Sequence, residues 1–158
     1  MTNKLILLHG LEGSSQGFKA RYLRERFPHI ITPDFHGTLQ ERMQQLAPIL
    51  GDTPGWTIIG SSFGGLMGAL FTCQHPDQVN RLILLAPALH RPDFAEHPPA
   101  PVATPTTIYH AQQDTVVPIA PVHAVAEQVF QNLTFHVVDD NHRLQATMQT
   151  IDWHNLLA

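Results

Sequence analysis

Residues 56–72, WTIIGSSFGGLMGALFT, set an apolar β-type run, a glycine-framed pair of serines and a second apolar run end to end. The first run suits a strand buried on both faces, and the second suits a buried helix. Between them, Gly60-Ser61-Ser62-Phe63-Gly64 fits G-x-S-x-G with Ser62 at the centre. A sharp strand-to-helix turn holds such a serine in a strained conformation, and flanking glycines remove side chains that would clash. The new helix also turns its N–H groups and positive end toward developing negative charge. Ser61 lacks the symmetric frame, because Ile59 and Phe63 stand two positions away. Ser62 is therefore the candidate nucleophile, and Ser61 a buried support.

Outward from this turn, β-type runs alternate with helical patterns along the whole chain. Strands are expected at 5–8, 29–32, 57–59, 82–85, 106–109 and 133–137. Short apolar runs of this kind suit a parallel sheet covered on both faces. Thr38 and Glu41 have capping-box spacing ahead of a Leu39, Met43, Leu46, Leu50 stripe. Pro118 can open a helix carrying Val122, Val125, Ala126 and Val129, and Leu144, Met148 and Ile151 begin a last one. Such stripes read as core surface, and the alternation predicts one doubly wound α/β domain over 1–158. Only PDFAEHPPAPVATP, residues 92–105, breaks the rhythm, and it predicts a stiff extended loop at the carboxyl edge of the sheet.

A serine needs a base, and the base needs an acid. HAQQDTVVP places Asp114 after the fifth expected strand, and DDNHRL places His142 after the sixth. Both fall on the edge that carries Ser62, so Asp114 is the candidate acid and His142 the candidate base. Asp114 could instead cap the helix near Pro118, and His142 could simply start the last helix. Asp139 and Asp140 compete for the acid role or shape the turn before His142. LLHGLEGSS follows the first strand and lies beside the Ser62 turn. Two backbone N–H groups there, those of Leu11 and Phe63, are the candidate oxyanion donors. The competing reading is a phosphate loop, whose dinucleotide or Walker spacing is missing. Ala88, Leu89, Phe94 and Val116 are expected acyl-pocket walls along with Phe63, while Phe35 and His36 are weaker candidates. Glu12 adjoins the oxyanion loop, where a carboxylate would repel anionic substrates unless it faces solvent.

Bulk composition excludes several classes. With 43% apolar and 14% charged residues, the 158-residue chain can build one packed core. A net charge of −4 without a Lys/Arg cluster argues against nucleic acid as the partner. Cys73 is the single cysteine, so no disulfide framework or thiolate metal site is expected within one chain. The eleven histidines are scattered without a His-x-x-x-His pair, and no metal is expected. No run reaches membrane-span length, and the run after Lys4 is too short for a signal-peptide core, so a cytoplasmic protein is expected.

Taken in order, LLHGLEGS, TPDFHG, GSSFGG, RLILLAPAL, HAQQDTVVP and DDNHRL resemble the α/β-hydrolase superfamily over nearly the whole chain. Within it the chain is most similar to the small, capless, bacterial YqiA-like group of esterases. The resemblance implies a three-layer α/β-hydrolase fold with a mostly parallel six-stranded sheet in the order 2-1-3-4-5-6 and no cap domain. It implies Ser62 as nucleophile, Asp114 as acid, His142 as base, and Leu11 and Phe63 as oxyanion amides, with no cofactor. The expected partner is a small ester or thioester. A non-catalytic binding protein, or lactonase, perhydrolase or carbon–carbon cleavage at the same residues, stays open here.

Overall fold

The computed structural model describes residues 4–158. Five parallel strands, β1 (Lys4–Leu8), β2 (Trp56–Ser61), β3 (Val79–Leu85), β4 (Thr106–Ala111) and β5 (Leu133–Val138), stand in the order β1-β2-β3-β4-β5. Alternation along the strands divides the core. Ile6, Leu8, Ile58, Leu82 and Leu84 face one layer, while Leu5, Leu7, Ile59, Ile83 and Leu85 face the other. Helices α2 (Leu39–Leu50), α3 (Phe63–Gln74) and α5 (Ile119–Val129) cover the first face. The second is covered by α1 (Phe18–Arg26), α6 (Gln145–Thr150) and α7 (Trp153–Leu156). This is a three-layer α/β architecture.

The sixth expected strand, 29–32, is reduced to one parallel bridge between Ile31 and Ile6. Ile31 N–H donates to Leu5 O, and Leu7 N–H donates to Ile31 O, both at 2.9 Å. The next rung of a parallel ladder would need an N–H at position 33, which is proline. Chain order is preserved, with Ile31 outside β1.

The proline-rich stretch is also not wholly extended. Pro92–Ala95 forms a one-turn helix, α4, and Val102 bridges Phe130. Pro92 sits at the first helical position, where its missing N–H costs nothing. The last helix is split, because Ile151 adopts an extended conformation between α6 and α7. The Thr38–Glu41 capping box forms as read. Among the described residues, no helix is long and apolar enough to cross a membrane.

After β1 the chain crosses to the outer Ile31 position and then returns to β2 on the other side. That reversal opens a crevice between the β1 and β2 ends, where open α/β sheets bind ligands.

Candidate active site

Ser62 occupies the turn between β2 and α3 with φ +54° and ψ −114°. Its N–H donates to Leu85 O at 2.9 Å, and its carbonyl accepts the N–H groups of Gly65 and Ala88, also at 2.9 Å. The strained residue is thus held from both sides. Ser61 ends β2 opposite Leu85 and is half-buried rather than buried.

The candidate acid and base reach this turn from separate strand ends. Asp114 follows β4, and its Oδ1 accepts the Val116 and Val117 N–H groups, both at 2.8 Å. Its Oδ2 lies 2.7 Å from His142 Nδ1, and His142 Nε2 lies 3.1 Å from Ser62 Oγ. Burial of the Asp114 carboxyl pushes its pKa up. The Val117 N–H, the His142 ring and the Val116 N–H outweigh that and hold it below the usual range. A carboxylate only accepts, so Nδ1 carries the ring proton and Nε2 turns a lone pair to the hydroxyl.

His110, which the sequence reading left without a role, backs the same carboxylate. It is wholly buried, its Nε2 lies 2.9 Å from Val117 O and 3.5 Å from Asp114 Oδ2. Burial lowers its pKa, so the ring stays neutral and donates Nε2–H. The competitor Asp140 shapes the turn before His142, accepting from Asn141 N–H and from the Thr147 N–H and hydroxyl. Asp139 is exposed.

The loop after β1 covers the turn. A Cβ on Gly10 would stand 3.3 Å from Ser62 Cβ and 3.9 Å from the Phe63 nitrogen. His9, also missed by the sequence reading, pins this loop. Phe35 N–H donates to its Nε2 at 2.9 Å, so Nδ1 carries the proton and donates to Gly10 O at 2.7 Å. In a trans peptide the N–H opposes the C=O, so the Leu11 N–H of that same unit points away from His9. Neither the Leu11 nor the Phe63 N–H donates to another described residue.

The expected pocket walls divide. Leu89 and Phe94 have no exposed surface and pack in the core, Phe94 against Phe130, so neither lines a pocket. Ala88 is buried and spends its N–H on Ser62. Leu11, Glu12 and Val116 are exposed at the rim. Among the described residues no group of His, Cys, Asp or Glu is placed to hold a metal ion.

Lys19, on α1, ties down the segment that carries the candidate base, its Nζ donating to the carbonyl of the next residue, Arg143, at 2.6 Å. Burial, with the Arg143 charge adding to it, lowers the Lys19 pKa to about 8, against the pull of Asp140. A lysine whose folded pKa lies below its unfolded value penalises the fold when protonated. The penalty is complete below pH 8 and fades toward the unfolded value near ~10.4. We expect wild-type unfolding free energy to rise between pH 7.5 and 9.5 by on the order of 2 kcal/mol more than that of Lys19→Met. Denaturant titrations across that range check this, and parallel curves for the two proteins would contradict it.

Comparisons with known proteins agree with the architecture. No curated protein matches the chain. Mouse alpha/beta hydrolase domain-containing protein 10 superposes with a TM-score of 0.82 at 17% identity, over 100% of this chain and 92% of that one. Est1E from Butyrivibrio proteoclasticus, solved with ferulic acid, gives 0.76 at 17% identity over 99% and 89%. A protein assigned to the alpha/beta hydrolase superfamily from Xanthomonas campestris gives 0.74 at 29% identity over 94% and 92%. The model of the alpha/beta hydrolase fold matches residues 3–103, and the chain belongs to that family.

Proposed function

We propose that the protein is a serine hydrolase of small carboxylic esters or thioesters, within the capless YqiA-like esterase group. The observation that carries this is the unbroken relay from Asp114 Oδ2 through His142 to Ser62 Oγ, at 2.7 and 3.1 Å. His142 Nε2 takes the hydroxyl proton as Oγ attacks the carbonyl carbon, and Asp114 steadies the imidazolium. In this reading the Leu11 and Phe63 N–H groups, uncommitted to other described residues, receive the oxyanion. His142 then protonates the departing alcohol or thiol, and water resolves the acyl-enzyme through the same base. Each donor of this kind is worth ~3 kcal/mol of transition-state stabilisation.

A one-turn helix stands where larger relatives carry a cap, which favours short acyl groups. The ferulic acid in Est1E supports an ester-processing reading of the shared fold. The test pairs fluorophosphonate labelling with a panel of p-nitrophenyl esters and acyl-thioesters of increasing length. The expected result is a single adduct on Ser62 and turnover that falls with acyl length. A folded protein that neither labels nor turns over would leave a ligand-binding role instead.

A further inference from the structure

Arg42, in the first turn of α2, is 5% exposed, and its hydrogen bond is Nε–H to Gly37 O at 3.0 Å. Its Nη1 is buried with no partner among the described residues. Its guanidinium carbon stands 5.3 Å from the ring centre of Phe63, the residue after Ser62. Arg91 places its own guanidinium carbon 5.1 Å from the same ring, with Nε 3.1 Å from Asp93 Oδ1. Buried cations are ordinarily paired, and an aromatic face offsets part of the charge without accepting an N–H bond. Carboxylates on nearby turns are committed elsewhere, Glu41 to the Thr38 cap and Asp34 to Ser15. Arg42 therefore holds a desolvated donor with no anion to receive it.

We propose that Arg42 and Arg91 form an anion subsite beside Ser62, selecting esters whose acyl chain ends in a carboxylate. This rests on the reading of Ser62 as the nucleophile. Phe63 links the two functions, since its amide is the candidate oxyanion donor and its ring centre lies 5.3 and 5.1 Å from the two guanidinium carbons. Asp93 already offsets Arg91, so the cluster keeps one net positive charge, which suits a carboxylate better than a phosphate dianion. Guanidinium and carboxylate planes also match in a bidentate pair. Arg91 and Asp93, whose side chains are 40% and 39% exposed, are the solvent-facing members of the cluster. Glu12, the carboxylate in the oxyanion loop, is exposed, where water and salt screen it.

The test compares monoethyl adipate with ethyl hexanoate, which have equal acyl length and differ by the terminal carboxylate. A pH-stat reads both, and calorimetry reads binding of free adipate and of inorganic phosphate. We expect kcat/KM to favour the hemiester by about 10-fold or more, and adipate to bind more tightly than phosphate. In Arg42→Met, confirmed as folded by thermal melt, the preference collapses toward unity and adipate binding is lost. Arg42→Lys and the exposed Arg91→Gln each lower the preference several-fold, so the outcome does not depend on the buried truncation folding. Equal kcat/KM for both esters, absent adipate binding, or phosphate binding as tightly as adipate would each overturn the subsite. If adipate binds in an Arg42-dependent way while fluorophosphonate fails to label, the subsite stands and the serine assignment falls.

Discussion

Ser62→Ala is expected to lower kcat/KM on the best ester of the panel by about a million-fold while the protein melts normally. The hydroxyl is the only group removed, and the backbone bonds to Leu85, Gly65 and Ala88 still hold the turn at φ +54°. Stability should therefore stay within about 1 kcal/mol of wild type. Ser61→Ala removes the neighbouring hydroxyl from the end of β2 and should keep most of the activity and all of the labelling. Loss of labelling in Ser61→Ala, with Ser62→Ala still reactive, would reverse the assignment. Stopped-assay kinetics and intact-mass labelling on the two variants decide it.

Gly64→Ala carries the other large effect, and it falls on folding. A Cβ at Gly64 would sit 2.0 Å from Leu8 O and 2.6 Å from His9 O, both backbone atoms. No rotamer relieves that, so either the first turn of α3 or the end of β1 must move. Leu8 lies in the core of the sheet, and His9 holds the Gly10 peptide, so the core and the loop after β1 are disturbed together. We expect more than ~4 kcal/mol of destabilisation, enough to leave little folded protein. Soluble yield and a denaturation curve, compared with those of Ser62→Ala, measure it. A normal melting curve would mean that the close packing of this helix on β1 is wrong.

Much of this architecture is written in local pattern. The five full strands are short apolar runs, and the serine turn, Asp114 and His142 each follow such a run at the same edge. Ile31 fell short because a proline two residues on cancels a rung, a signal present in TPDFHG yet outweighed by the apolar run. Helix α1 escaped because FKARYLRER buries only Ala20 and Leu23, too few for a visible stripe. His9, Lys19 and Arg42 escaped for a different reason. Their partners are Phe35, Arg143 and the Phe63 ring, and only the folded chain brings these together. Leu89 and Phe94 lie in the right segment, but an apolar residue near an edge does not announce whether it faces inward or toward ligand.

The proline that cuts short the Ile31 strand has an effect beyond the molecule itself. An outermost strand normally offers a row of free donors and acceptors to any passing extended chain, which is how sheets recruit one another into aggregates. At this border the row ends after one bridge, and Pro33 supplies no N–H to continue it. The flank nearer Ser62 thereby offers little to an incoming strand, which leaves β5, at the opposite border, as the edge with a full row of unpaired backbone groups.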